Sequence, residues 1–342
     1  MAADIVVAVG TSHGPQLKTP PERWGERAVF DRRNEALAFR RKDYAYADLA
    51  ARREDFGPQT EPEAQRRRYE ASQRALDELG GVVRAARPDV LVIVSSDHKE
   101  IFGDDSLPPF AVYWGETVGH VPFTQEHLDA MAPGLAAAAQ GDVPDRPMER
   151  PCHPALATHV IKHTMRAGFD VSASKELPAG RYGNHGIPHG WGFVYQRILG
   201  QDCEIPMVPV FVNTFWEPNP PSARRCHRFG QALGAAIRSF PDGLRVGVVA
   251  SGGLSHFVID EDLDRAFIGA LMDADDEYLC RLDGELLRSG TSELRNWITV
   301  AGALEGTGLR PRLVDYQPCY RTEAGTGNAM GFMAWEPEEG TT

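Results

Sequence analysis

The sequence predicts an α/β fold, a three-layer domain with a central, mostly buried sheet flanked by helices. Five apolar runs are continuous rather than alternating in polarity, which is typical of strands covered on both faces. They lie at residues 4–10, 90–96, 110–115, 205–213 and 245–253. Helical segments separate these runs, and this alternation is typical of a sheet between two layers of helices.

The remaining elements follow in chain order. Helices are predicted at residues 62–86, 123–139, 153–167, 222–239, 261–284 and 291–304. The chain then continues into two strands around a glycine-rich turn, in the segment LVDYQPCYRTEAGTGNAMGFMAWEP. No internal repeat or low-complexity linker interrupts the order, and 342 residues lie within the range of one large domain. We therefore expect residues 1–342 to form a single domain.

A charged, arginine-rich segment at about residues 18–75 stands apart from this alternation. Its few apolar positions favour a solvated helical excursion or a contact between subunits, and a substrate lid is the alternative.

Charge and composition exclude several classes of partner. A formal net charge of -12, with no long basic cluster, disfavours nucleic acid and anionic lipid surfaces. No stretch approaches the roughly 20 apolar residues of a membrane span, and the N-terminal MAADIVVAVG fits a first strand better than a signal peptide. Five cysteines without a CxxC pair indicate free thiols. We expect a cytoplasmic protein, and a homo-oligomer.

Four histidines occupy positions typical of a functional site. His13, His98 and His256 each stand just past a strand-like run, and His185 lies in the glycine-rich GNHGIPHG. Ligands of open α/β sheets bind beyond the carboxyl ends of the strands. Any one of these histidines could be a hydrogen-bonded boundary residue, but three in equivalent places predict one shared polar site.

Two neutral imidazoles and one carboxylate can bind Fe(II) and leave adjacent coordination positions open. His13 and His98 could supply the imidazoles. Spacing does not choose the carboxylate, for which the candidates are Asp97, Asp260, Glu261 and Glu293.

Two competing motifs are incomplete. His159 and His163 have the i, i+4 spacing of a helix-face pair, but the glutamate of the HExxH zinc proteases is missing. SGGLSHF places its serine wrongly for the G-x-S-x-G nucleophile elbow of serine hydrolases.

These motifs together resemble the class III extradiol ring-cleavage dioxygenases, the family that includes the protocatechuate 4,5-dioxygenase β (catalytic) subunit. The matching segments run in order along most of the chain: TSHGP, VSSDHKE, HPALATHVIKH, NHGIP, FVNTFWEPNPPS, ASGGLSH, SELRNWITVAGAL and YRTEAGTGNAMGFMAWEPEE. The segment between His13 and His98 is longer than is usual in that family.

The resemblance implies specific roles. Iron would be held by His13, His98 and Glu293, His256 would be the acid/base residue, and His185 would be a second active-site histidine. The implied activity is that of an Fe(II)-dependent dioxygenase of aromatic hydrocarbon catabolism. It would insert both atoms of O2 into a small catechol-type diol, with or without a carboxylate, and open the ring. A zinc-dependent hydrolase and a metal-free binding protein on the same fold are the alternatives.

Two further expectations concern the surroundings of the metal. Asn213 and Thr214 stand at the end of a predicted strand and could bind substrate or orient a ligand ring. Gly252 and Gly253 lack a Cβ atom, so they could let the backbone turn sharply and approach the substrate.

Overall fold

The structure is a computed structural model that describes residues 2–53, 56–132, 134–178 and 186–338. Its strands are β1 (Asp4–Thr11), β2 (Leu37–Phe39), β3 (Lys42–Tyr44), β4 (Val90–Ser95), β5 (Phe110–Tyr113), β6 (Thr117–His120), β7 (Met148–Pro151), β8 (Ser172–Ser174), β9 (Met207–Val212), β10 (Arg245–Ser251), β11 (His256–Val258), β12 (Arg310–Tyr320) and β13 (Thr326–Glu336). Its α-helices are α1 (Gly25–Asp31), α2 (Tyr46–Ala50), α3 (Pro62–Ala86), α4 (Gln125–Ala130), α5 (Leu135–Gln140), α6 (Pro154–Arg166), α7 (His189–Phe193), α8 (Ala223–Arg238), α9 (Glu261–Asp273), α10 (Asp276–Arg281) and α11 (Leu294–Leu304). A short 3₁₀ turn, Ser289–Glu293, leads directly into α11.

A mixed sheet forms the centre of the described part of the chain. Nine of its strands join in the order β11-β13-β1-β10-β4-β9-β5-β8, with β12 added beside β13. Strands β1, β10, β4 and β9 are parallel neighbours, and the rest include antiparallel pairs. In the register of β1 and β10, Thr11 lies opposite Ser251, so these carboxyl ends meet at one edge of the sheet.

Helices cover both faces of this sheet. Successive residues of β4 belong to different hydrophobic clusters, with Val90, Val92 and Val94 in one and Leu91 and Ile93 in the other. This alternation follows from the two-residue period of a strand. The first cluster contains side chains of α6, α8, α9 and α11, and the second contains those of α3 and α7. The predicted three-layer α/β class is confirmed.

Close packing of α8 against α11 fixes the position of the site. A Cβ atom on Gly230 would lie 1.9 Å from the carbonyl oxygen of Thr299, and one on Gly234 would lie 2.2 Å from that of Ala303. Both glycines are therefore needed for the backbones to approach this closely. This contact holds α11, and with it Glu293 at its N-terminus, against the sheet.

The structure divides two helices that the sequence predicts as continuous. The segment 123–139 contains α4 and α5, and 261–284 contains α9 and α10. In the second case Ala274 adopts a left-handed conformation with φ of 51° and ends α9. The side chain of Asp275 then accepts a hydrogen bond from the backbone of Tyr278 and caps α10.

The charged segment at about 18–75 is anchored to the sheet rather than only solvated. It contains α1, the β2–β3 hairpin, α2 and the start of α3. Leu37 and Leu49 pack with Val258 and Ala324 in a small separate cluster. This places the segment beside β11, which begins at His256.

The structure also bears on the cysteines and on membrane-spanning segments. All five cysteines are free thiols, as expected. Within residues 2–53, 56–132, 134–178 and 186–338, no helix combines the length and apolar character needed to cross a bilayer.

Candidate active site

The predicted metal residues converge at the carboxyl edge of the parallel strands. His13 lies two residues beyond β1, and His98 lies three residues beyond β4. Glu293 ends the 3₁₀ turn before α11 and is 3% exposed. His256 opens β11, just beyond the end of β10, and is 7% exposed. Four chain segments far apart in sequence thus contribute to one buried cluster.

Glu293 is the centre of this cluster. Its Oε1 lies 3.3 Å from His13 Nε2 and 2.5 Å from His98 Nε2. Its Oε2 accepts a hydrogen bond from the backbone N–H of Gly253 and lies 3.7 Å from His256 Nε2. Three imidazole nitrogens therefore face a single buried carboxylate.

The other three carboxylate candidates have different partners. Asp97 accepts backbone hydrogen bonds from Ile101 and Phe102, which follow it in the loop after β4. Asp260 forms an ion pair with Arg40 at 2.9 Å. Glu261 accepts a hydrogen bond from the hydroxyl of Tyr320. Of the four, Glu293 is the one that lies among the histidines.

Hydrogen bonding fixes the tautomer of His13. The hydroxyl of Ser251 donates its only proton to the carbonyl oxygen of Gly190 at 2.7 Å. It must therefore accept from His13 Nδ1, which lies 2.9 Å from Ser251 Oγ. In the neutral ring this leaves the lone pair on Nε2, the atom that faces Glu293. A histidine that donates from one ring nitrogen and presents the other is the usual arrangement of a metal ligand.

His256 sits between two glycines. A Cβ atom on Gly253 would lie 2.5 Å from the ring Cε1, and one on Gly290 would lie 1.9 Å from Cδ2. Nδ1 donates to the carbonyl oxygen of Leu254 at 2.7 Å, so Nε2 of the neutral ring is free to accept a proton. The space predicted for a substrate beside Gly253 is occupied by this ring, and a Cβ on Gly252 would meet Asn296 at 2.8 Å.

A buried network holds the backbone around His256. Thr291 accepts from the backbone N–H of His256 and donates to its carbonyl oxygen, both at 3.1 Å. The preceding Ser255 donates through its N–H and its hydroxyl to the two carboxylate oxygens of Asp264, at 2.8 and 2.6 Å. Asp264 also accepts from the hydroxyl of Tyr316.

His189 is an additional member of the cluster that the sequence analysis missed. Its Nε2 lies 3.2 Å from His13 Nε2. Its Nδ1 and its backbone N–H both contact the carboxylate of Glu100. The predicted residue His185 lies outside the described residues, so its role stays a prediction. Both histidines belong to GNHGIPHG, and that shared segment was the available signal for His189.

The pKa shifts describe an ionised Glu293 carboxylate beside a neutral His13 ring. Burial raises the pKa of Glu293, but the neighbouring His13 and His98 outweigh this effect and hold it well below its usual value. Burial lowers the pKa of His13 to about 4 and also lowers the pKa of His256. Burial has the same effect on His189, but the charge and hydrogen bond of Glu100 outweigh it and raise its pKa to about 9.

This donor set fits a divalent metal ion. His13 and Glu293 bring a ring nitrogen and a carboxylate oxygen together, with the His189 ring within 4.8 Å of both, and His98 also contacts Glu293. Imidazole nitrogens with one carboxylate suit iron and zinc. A second group, formed by His227, Asp276 and Glu305, joins α8, α10 and the end of α11.

A cavity of about 410 Å³ opens onto the cluster. It lies within the range of small-molecule sites. Its apolar lining includes Phe123, Met131, Leu135, Phe215, Trp216 and Phe257. Lys18 and Arg27, from the charged segment, also line it. The segment therefore contributes to the pocket wall, which agrees with the lid alternative more closely than with a purely solvated excursion.

The structure does not bring Asn213 and Thr214 into this cavity. Both line a smaller neighbouring cavity that also contains His98. The side-chain amide of Asn213 is used within its own turn, where it bonds to Trp216 and Asn219. Asn213 thus holds the loop that presents Trp216 to the larger pocket, and the predicted contact with substrate remains untested.

These features define a class, an α/β protein with a buried histidine–carboxylate site of metal-binding type at the carboxyl edge of a mixed sheet. Residues 56–327 match the model of the family described as catalytic LigB subunit of aromatic ring-opening dioxygenase. The chain belongs to this family, which confirms the resemblance seen in the sequence. The matched range includes His98, His256 and Glu293, whereas His13 and Arg27 precede it.

Two curated relatives carry the name 2,3-dihydroxyphenylpropionate/2,3-dihydroxicinnamic acid 1,2-dioxygenase. The one from Escherichia coli strain 55989 is 29% identical over 192 residues, and the one from Klebsiella pneumoniae strain 342 is 29% identical over 191 residues. Each alignment covers 54% of this chain and 51% of the relative, so the chain spans about half the length of these relatives. A crystal structure of an uncharacterized Escherichia coli K12 protein aligns over 96% of this chain and 99% of its own, with a TM-score of 0.44 and 16% identity.

Proposed function

We propose that this chain is a non-haem Fe(II)-dependent extradiol dioxygenase that inserts both atoms of O2 into a catechol-type ring and opens it. The observation that carries the proposal is the convergence of His13 and His98 on Oε1 of Glu293, with His256 3.7 Å from Oε2. Family membership and the names of the two relatives support the reaction class. The nine-stranded sheet takes strands from β1 through β13, and this supports one catalytic domain.

His13, His98 and Glu293 would hold the iron on one side. The bond to Ser251 keeps His13 Nε2 as a lone-pair donor, and the backbone N–H of Gly253 orients the Glu293 carboxylate. When bound, Fe(II) supplies Lewis acidity toward the diol and the electron transfer that O2 chemistry requires.

His256 would be the base that accepts a proton from a diol hydroxyl. Its Nδ1 is committed to the carbonyl oxygen of Leu254, so Nε2 is the atom that takes the proton and later returns it to the opening product. Gly253 and Gly290 pack closely against two edges of the ring. This packing fixes the orientation of the ring and therefore the direction of the proton transfer.

His189 would bind an oxygen of the substrate through Nε2–H. Glu100 accepts from both the Nδ1 and the backbone N–H of His189, and this double contact sets the plane of the ring. The aromatic and aliphatic walls of the cavity would exclude water from the reacting diol.

The test combines metal analysis with a search for product. Protein purified without oxygen should contain about one iron per chain, and it should consume O2 with a panel of catechols, gallates and aminophenols. Mass spectrometry with isotopically heavy O2 should find both oxygen atoms in a ring-opened product.

Three outcomes would contradict the proposal. Zinc as the only tightly bound metal together with hydrolysis of an ester or amide would favour the hydrolase alternative. Absence of any bound metal would favour a binding protein. Incorporation of one oxygen atom rather than two would exclude a dioxygenase.

A further inference from the structure

Arg27 is a positive charge in the pocket wall without a counter-charge of its own. Each carboxylate that lines the cavity already has a cationic or imidazole partner: Asp142 binds Lys18 at 2.6 Å, Glu100 contacts His189, and Glu293 faces the histidines. Among the described residues, the guanidinium of Arg27 has no hydrogen-bond or ion-pair partner.

Asp31, one turn further along α1, is the carboxylate whose charge acts on Arg27, and that charge is already matched. Arg321 binds both of its carboxylate oxygens, at 2.5 and 3.0 Å, and Thr326 donates to it at 2.7 Å. Two arginines therefore share one carboxylate, which leaves one positive charge in excess. Burial, with the charge of Arg321 beside it, lowers the pKa of Arg27 to about 10, so the side chain stays protonated at neutral pH.

Packing directs Arg27 toward the cavity. The Cγ atom of Arg27 lies against Gly134 at the start of α5, where an added Cβ would come within 2.8 Å of it. Met131 and Leu135, on either side of Gly134, line the same cavity as Arg27 and the histidine cluster.

A second unused donor, Asn328, lines the same cavity. Asn328 is 1% exposed and lines the cavity, and its Nδ2 is buried without a hydrogen-bond partner in the described part of the chain. Its Oδ1 accepts from Arg321 at 3.4 Å, and its amide lies next to Gly14, where an added Cβ would be 3.2 Å away. A buried amide donor without a partner is costly, so a ligand that accepts from it gains free energy.

We propose that Arg27 and Asn328 form an anion subsite that selects diols with a carboxylate-bearing side chain. The diol would lie at the histidine cluster, and the carboxylate would take hydrogen bonds from the guanidinium. This inference rests on the proposed function, because it assigns the substrate of that same site.

The experiment compares two diols of similar size, 3-(2,3-dihydroxyphenyl)propionate and neutral 3-propylcatechol. Iron-loaded wild type, Arg27→Gln and Arg27→Lys are assayed for kcat and KM. The matched control is Arg33→Gln, because Arg33 is an exposed arginine just beyond α1. Calorimetry gives the Kd of both compounds for each protein, so the subsite is tested even if no ring is opened. Thermal melting shows whether each variant is folded.

We expect Arg27→Gln to lose ~10- to 100-fold in kcat/KM for the carboxylated diol, mainly through KM, because the lost contact is a hydrogen bond to a charged group. For the neutral diol the change should stay within about threefold. Arg27→Lys should retain part of the preference because it keeps the charge but not the two-pronged geometry. Arg33→Gln should behave as wild type with both compounds.

The two proposals fail in different ways. The subsite alone is overturned if wild type and Arg27→Gln open both diols and the ratio of kcat/KM between the two diols is the same in both proteins. Iron-loaded wild type could open neither ring, yet bind the carboxylated diol more tightly than the neutral one, with this difference abolished in Arg27→Gln. That result overturns the dioxygenase and supports the subsite. Equal Kd values for the two diols in wild type overturn the subsite in either case.

Discussion

Replacing Gly290 by alanine should displace the proposed base without touching the proposed metal ligands. The new Cβ would lie 1.9 Å from Cδ2 and 2.4 Å from Nε2 of His256, whereas ordinary contacts begin at 3.4 Å. The ring would have to move by about 1.5 Å, the difference between 3.4 and 1.9 Å. Gly253 lies against the opposite Cε1–Nδ1 edge, so the ring would have to move toward the cavity that it lines.

A displacement of that size should lower kcat. Misplacing a catalytic group by about 1 Å can cost ~10²-fold in rate, and complete loss of general acid–base help costs ~10²- to 10⁴-fold. Gly290→Ala should therefore lower kcat by at least ~10²-fold, and His256→Ala should set the lower limit of activity. The assay is steady-state O2 consumption at saturating diol, with iron content measured on the same samples.

Gly284→Ala is the matched control, because no atom lies within 4 Å of a Cβ at that position. It should keep the wild-type kcat, iron content and Tm. The reasoning is refuted if Gly290→Ala stays within about threefold of wild-type kcat while His256→Ala loses most of its turnover.

Three further predictions concern the ligands and their support. Glu293→Gln should lose the bound iron in metal analysis, whereas His227→Gln, in the second histidine–carboxylate group, should keep it; equal iron in both would contradict the assignment. Ser251→Ala should weaken iron affinity by ~10- to 100-fold in a chelator competition, because His13 loses the partner that fixes its ring. Burial raises the pKa of Asp264 from 3.8 to about 7, so the folded state binds more protons than the unfolded chain between these values. Its contribution to the free energy of unfolding is full below 3.8 and falls by up to about 4 kcal/mol as pH rises to about 7. Asp264→Asn should flatten this slope in urea titrations at several pH values, and an unchanged slope would refute the assignment.

Much of the architecture was predictable because it depends on local pattern. The continuous apolar runs of the central strands mark burial on both faces, and Pro62–Ala86 coincides with the predicted helix. The β2–β3 hairpin was missed because its turn places Arg40 in a left-handed conformation, with φ of 53°, where a glycine would be the usual signal. The division at Ala274 was missed because Asp275 caps the next helix within a segment that is otherwise helical in pattern.

The site was predictable only in part, because several of its residues are placed by tertiary contacts. Strand ends indicate where His13 and His98 lie, but no spacing rule connects either of them to Glu293, and the resemblance supplied that link. His189 and Arg27 depend on tertiary contacts, with Glu100 in one case and Gly134 in the other. Neither contact can be read from the sequence, so sequence reasoning favoured His185 and kept a role of the charged segment in the pocket only as the lid alternative.

Arg27 lies in a different part of the fold from the histidine cluster, so substrate preference and metal binding can change independently. The histidines and Glu293 lie at the carboxyl edge of the sheet and on the elements packed there, whereas Arg27 lies on α1, within the charged segment. Mutation in this segment would therefore change which side chains on the aromatic ring the proposed subsite accepts, without altering the proposed metal ligands. Substitutions within residues 18–53 are accordingly a route to new substrate ranges around an unchanged set of proposed metal ligands.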